Sequence, residues 1–204
     1  FSNVNNSVVE LSNLTSYDRT GLWLTGGSYN LTIRNNYVYI NDSSQTAILL
    51  FNAPNSTVSS NNVTVVAFSQ GISISTPSNF SIIHDNNVSI YETLGSQGGD
   101  GIYVGSFYSN VSHNRVYANG TWGDGIVLIS GSQFNNVTDN SIYSQNGTGI
   151  WLDESNNYNY IYNNVINTSY EYSEGILVED GSEFNIISFN KINNKLNFEC
   201  NKTI

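Results

Sequence analysis

Apolar residues recur along this chain in two fixed settings. In the first, a small residue is followed by aliphatics one and three positions on. Gly21, Ala47, Gly71, Gly101, Gly125, Gly149 and Gly175 lead the pairs Leu22/Leu24, Ile48/Leu50, Ile72/Ile74, Ile102/Val104, Ile126/Leu128, Ile150/Leu152 and Ile176/Val178. Alternation with period two and one wholly aliphatic face predicts short strands. In the second setting an asparagine lies three residues after one aliphatic and two before another. These asparagines are Asn36, Asn61, Asn86, Asn114, Asn140, Asn164 and Asn190. A degenerate copy is expected at the start, at Val4, Ser7 and Val9.

The settings alternate with a period of 24–30 residues, and no helical pattern interrupts them. Each period holds three short strands with connections too short for helical crossovers. Such strands find partners only in the same strand of the next period, which predicts stacked coils. The fold expected is all-β: a right-handed parallel β-helix solenoid of about seven to eight coils, with residues 1–204 as one domain. At ~4.8 Å per coil the rod is about 35 Å long. The seven asparagines then form a structural ladder at a turn, each amide bonding the copies above and below.

The "GIxL…NxxxxNxI" coils resemble the PbH1 repeats of right-handed parallel β-helix proteins, the pectate-lyase-like and NosD-like superfamily. Archaeal and bacterial surface proteins contain many such domains. The resemblance implies the fold and leaves the activity open, because the superfamily includes lyases, hydrolases, epimerases, tailspikes and proteins without chemistry. The polygalacturonase-like strings Asn-Thr-Asp, Asp-Asp, Gly-His-Gly and Arg-x-Lys are absent, as is the epimerase-like Asp-Pro-His. No complete catalytic constellation is found, and no catalytic residue is assigned.

Composition narrows the partners. Sixteen acidic residues against six basic ones give a formal net charge of −10. That disfavours nucleic acid and anionic membrane surfaces. No apolar run approaches the ~18 residues of a membrane-spanning helix. The opening "FSNVNNSVVE" and the lack of any methionine lead us to expect a processed chain, from which a signal peptide or longer flanking sequence was removed. Among 34 asparagines, 14 begin the sequon Asn-x-Ser/Thr, where chance gives about seven. They are Asn5, Asn13, Asn30, Asn41, Asn55, Asn62, Asn79, Asn87, Asn110, Asn119, Asn136, Asn146, Asn167 and Asn201. N-linked glycans and an extracellular or cell-surface location are therefore expected. Cys200 has no second cysteine to pair with in the chain.

Three groups of side chains are candidates for contact or chemistry. Period two places Trp23, Leu49, Ser73, Tyr103, Val127, Trp151 and Leu177 on the outward side of the first strand of each period. All but Ser73 are apolar or aromatic, and no sequon falls in these strands, so they are read as an interface. Asp153, Glu154, Glu179 and Asp180 follow the first strand on adjacent coils, forming a hard-oxygen cluster suited to Ca²⁺. A weaker acidic column runs Asp100, Asp124, Glu174, interrupted by Thr148. The basic residues look isolated, with no carboxylate in phase with Arg19 or Arg34. Loop length varies on one edge only, being longest through "YETLGSQGGD" and shortest between Asn140 and Gly149.

The function expected is structural: a glycosylated surface protein that assembles with itself, or with other domains of a surface protein, through the stripe and open solenoid ends. The alternative is a carbohydrate-binding or carbohydrate-active β-helix, with Trp23, Tyr103 and Trp151 stacking on a polysaccharide and the acids serving metal or acid–base work.

Overall fold

The computed structural model describes residues 1–41, 45–66, 69–91, 99–129, 131–153, 155–179 and 181–194. Every regular element among them is a β-strand, and every pairing of strands is parallel. Three sheets result. Sheet A has eight strands, from Val8–Glu10 to Ile186–Ser188; sheet B has eight, from Asn13–Ser16 to Lys191–Asn194; sheet C has seven, from Leu22–Leu24 to Ile176–Val178. Within each sheet a strand's neighbours are its counterparts one coil back and one coil on. This is the solenoid expected, with three strands per coil and about seven turns.

The small-residue setting becomes sheet C, and the asparagine setting becomes the corner between sheets A and B. One aliphatic of that setting enters sheet A and the other sheet B, so Ile33, Val58, Ile83, Val111, Val137 and Ile161 face Val38, Val63, Val88, Val116, Ile142 and Ile166 across a core closed by sheet C. All twelve are essentially sealed from solvent. Long aliphatic stacks of this kind provide the main stabilising term of a fold whose strands are only three to seven residues long. The leading residue of sheet C must be small. A Cβ on Gly125 would lie 2.3 Å from Ile142 Cγ2 and 2.4 Å from the Gly149 carbonyl oxygen.

The chain turns from sheet A to sheet B through one residue in the left-handed region, placed just before the ladder asparagine. Asn35, Asp85, His113, Asp139 and Asn163 do this, as do Leu11, Ser60 and Phe189, all with φ between 53° and 57°. Asn, Asp and His tolerate that region better than other side chains.

Two sequence expectations are corrected here. In the opening coil, Val9 pairs with Ile33 and Leu14 with Val38, and the Ser12 N–H bonds the Asn36 side chain. Ser12, not Ser7, therefore takes the ladder position, because Val9 and Leu14 are the aliphatics that reach the core. Arg34 is also not isolated. The parallel register sets it beside Glu10, and its Nε lies 2.7 Å from a carboxylate oxygen.

Candidate functional site

The asparagine ladder is continuous. Each Oδ1 accepts both the main-chain N–H and the Nδ2 of the asparagine one coil earlier, at 2.9–3.1 Å from Asn36 through Asn190. From Asn36 onward each Nδ2 also donates to a sheet A carbonyl, as Asn114 does to Ile83 at 2.8 Å. A second ladder, not anticipated from the sequence, runs at the corner from sheet C to sheet A. There Asn135 bonds Asn159, and Asn159 bonds Asn185, by the same double donation. Its signal is a Ser or Asn two residues before the sheet A aliphatic: Ser56, Ser81, Ser109, Asn135, Asn159 and Asn185.

The expected stripe is a true column. Trp23, Leu49, Ser73, Tyr103, Val127, Trp151 and Leu177 pair in register across sheet C. Trp23 is 52% exposed, and Leu49, Tyr103, Trp151 and Leu177 are half-buried. Val127 lies on the outward side of the strand but is covered and offers no contact surface. It is 1% exposed, with a large ring on either side of it in the sheet, so Tyr103 and Trp151 form the surface over it. Ser73, between Leu49 and Tyr103 in the column, is also 1% exposed. Trp151 Nε1 is buried without a hydrogen-bond partner among the described residues.

The four-acid cluster is described only in half, since Glu154 and Asp180 lie outside the described residues. Asp153 and Glu179 do sit on adjacent coils, their N–H groups bonding the Leu128 and Leu152 carbonyls. Among the described residues no group of three or more His, Cys, Asp or Glu side chains is arranged to hold a metal. Residues 92–98 of the longest loop also lie outside the described residues.

The column read as weaker holds two strongly perturbed carboxyls. Gln70, Asp100, Asp124, Thr148 and Glu174 each precede the small residue that opens sheet C, so they stack at one corner. Asp124 is buried, and one of its carboxylate oxygens accepts the Thr148 N–H, while Thr148 Oγ1 lies 3.4 Å from Glu174. Burial pushes the Asp100 carboxyl up to about 7, reinforced by the Asp124 charge and opposed by hydrogen bonds from the Asp124 N–H and Gln70. Burial likewise raises Asp124 to about 6; the Thr148 N–H opposes this and the Glu174 charge adds to it. The Tyr103 hydroxyl is raised by burial and by the charges of Asp100 and Asp153. Two neighbouring acids at this corner thus hold their protons more tightly than ordinary carboxyls.

The sequons divide cleanly by position. None of the 13 described sequon asparagines is buried; Asn201 lies outside the described residues. The buried asparagines are all ladder or corner residues, and the aliphatic two positions on that defines the A–B ladder excludes Ser or Thr there. Sheet C strands contain no sequon, whereas strands of both A and B do.

Two further features went unread in the sequence. The first is a stack of five rings, Phe80, Tyr108, Phe134, Tyr158 and Phe184, with centroids 4.9–5.1 Å apart and planes within 8°. All five have φ between 56° and 59°, at positions filled by Asn6, Asn30 and Asn55 in the first coils. The signal was an aromatic three residues before each later sheet A aliphatic. The second is a notch of about 440 Å³ at the variable edge, between Trp122 on one coil and Tyr170 and Tyr172 two coils on, with Asn146 between them. The short loop noted in the sequence creates it. Gly147 packs so tightly that a Cβ there would lie 2.3 Å from the Gly123 carbonyl oxygen.

A family model described as a right handed beta helix region matches residues 81–198, more than half of the chain. No curated protein matches the chain, and neither does any solved structure.

Proposed function

The chain belongs to the right-handed β-helix family, and on that frame we propose an exported, N-glycosylated structural protein that associates with copies of itself through the outward face of sheet C. The observation that carries this reading is the one-sided distribution of sequons. Glycans at the accessible asparagines coat sheets A and B and their corners, and they leave the strands of sheet C bare. A bare face built from Trp23, Leu49, Tyr103, Trp151 and Leu177 is apolar enough to drive association, and polar coating elsewhere restricts association to that face. Face-to-face pairing of two such sheets gives a closed dimer, and an offset pairing gives a filament or layer.

The carbohydrate reading has less geometric support. Tyr103 and Trp151 are half-buried and flank the buried Val127, which leaves less open ring face for a sugar than three freely projecting rings.

Light scattering and electron microscopy of the purified glycoprotein test the proposal. Association is expected for the wild type, with monomers for Trp23→Lys combined with Leu177→Lys at unchanged circular dichroism. A wild type that stays monomeric at high concentration overturns it.

A further inference from the structure

The notch between Trp122, Tyr170 and Tyr172 is walled by three of the more exposed aromatic side chains of the molecule, at 70%, 50% and 74% exposure. Its volume lies within the range of small-ligand sites. The side chain lying between the walls belongs to a sequon, Asn146-Gly147-Thr148. Asn146 ends its sheet B strand opposite Thr121, just past an irregularity in the pairing, and lines the notch together with Trp122. Its amide makes no hydrogen bond among the described residues. By contrast, the sequon asparagines Asn30 and Asn87 donate their Nδ2 to Asn6 and Asn62 on the preceding coil.

A depression of about 280 Å³ on sheet B also sets a sequon asparagine beside aromatic rings. It is lined by the sequon asparagine Asn167 beside Tyr143, whose ring stacks on Tyr117 at 5.0 Å. Asn167 Oδ1 accepts a hydrogen bond from Asn193 Nδ2 at 2.8 Å. Both depressions thus pair an acceptor asparagine with aromatic rings.

We infer that Asn146 is glycosylated and that the notch is the seat of its own glycan, the first sugars packing between Trp122 and the Tyr170/Tyr172 pair. This rests on the glycoprotein reading above. In the modification, Asn146 Nδ2 attacks the anomeric carbon of a diphosphate-activated oligosaccharide. The C–N bond forms, the C–O bond to the diphosphate breaks, and an amide proton is lost to the transferring enzyme's base. The product holds a pyranose directly over the floor of the notch. Its C–H face meets aromatic carbon, and its hydroxyls and acyl group meet the polar edge at Thr121 and the tyrosine hydroxyls. A covalent tether makes the contact intramolecular, so stacking too weak to capture a free sugar suffices to hold this one. An uncharged first sugar also fits the acidic surroundings, with Asp124, Glu171 and Glu174 on the two flanking loops.

The test uses the full chain from a host that N-glycosylates. Glycopeptide mass spectrometry reads occupancy at each sequon, and a native-state endoglycosidase time course reads how well each glycan is sheltered. We expect Asn146 to be occupied and its glycan released about tenfold more slowly than that at Asn62 or Asn136. Trp122→Ala should bring that rate level with the others at unchanged occupancy. Thr148→Ser, which keeps the sequon, should preserve both occupancy and protection. An empty Asn146 among occupied neighbours, or a glycan released as fast as the rest, overturns the inference and leaves the glycoprotein reading standing. A chain with no sequon occupied sinks both. A free neutral oligosaccharide that binds Asn146→Gln and is displaced by Trp122→Ala would make the notch a ligand site instead.

Discussion

Phe134 stacks on Tyr108 with ring centroids 4.9 Å apart and planes 4° apart. Its other face stacks on Tyr158 at 5.1 Å. Stacking thus takes up both faces of the three central rings, Tyr108, Phe134 and Tyr158, and favours a role in architecture over one as a sugar platform. It also explains how bulky residues tolerate a left-handed backbone, a conformation that disfavours them. Phe134→Ala loses two stacked pairs and should cost about 1–3 kcal/mol. Phe134→Asn, which restores the residue type of the first coils at this position, should cost less than the alanine. Urea denaturation compares the two, and an alanine no worse than wild type would show that the stack contributes nothing.

Asn114 connects four groups. Its Oδ1 takes two donors from Asn86, and its Nδ2 reaches Ile83 O and Asn140 Oδ1. Asn114→Ala strands those partners in a dry corner and should cost at least ~3 kcal/mol, since each unpaired buried group costs about 1–3 kcal/mol. Asn114→Asp is the sharper variant. Its ionised carboxylate still accepts from Asn86 but faces two acceptors with no proton to give. Thermal melts should show it badly destabilised at pH 7 and partly rescued at pH 4; equal loss at both would refute the donor assignment.

The coil repeat was readable because burial enforces it. Inward positions admit only aliphatics, the first position of sheet C admits only a small residue, and the ladder admits only a side chain that both donates and accepts. What escaped reading has no such single-residue signature. The aromatic column begins as asparagine and becomes Phe or Tyr alternately, so no identity repeats, although the spacing to the sheet A aliphatic does. The notch depends on the relative length of three successive loops, a property of no one coil. Val127 was assigned outward correctly by alternation, but exposure also depends on its neighbours' size, which alternation does not contain. Arg34 looked unpaired because the register of the opening coil was misplaced by five residues, and with it the position of Glu10.

Val127 and Trp23 occupy the same column with opposite surroundings, so one substitution should separate packing from association. Val127→Lys puts an ammonium under Tyr103 and Trp151 and should lower stability by roughly 3 kcal/mol or more. Trp23→Lys lies on the open part of the face and should change stability by less than about 1 kcal/mol while weakening association. Paired measurements of melting temperature and sedimentation decide this. A Val127→Lys protein as stable as wild type would mean the side chain is not enclosed.

Asp100 and Asp124 give the rod an inverted response to acid. An ordinary carboxyl releases its proton near pH 4 in the unfolded chain. In the folded chain burial holds these two protons to about pH 7 and about pH 6. Between those limits the folded state binds more protons than the unfolded state, so this contribution falls as pH rises from about 4 to about 7 and is flat above. For Asp124, enclosed by Gly123, Thr148 and the Glu174 loop, the effect is on the order of 2–3 kcal/mol. Asp124→Asn keeps an acceptor for the Thr148 N–H and removes the charge that also burdens Asp100. It should raise the melting temperature at pH 8, leave it unchanged at pH 4, and flatten the slope between. Differential scanning calorimetry across that range measures all three. A wild-type melting temperature that climbs from pH 5 to pH 7, or an asparagine variant that is less stable at pH 8, would show that both carboxylates are ionised and well solvated at this corner.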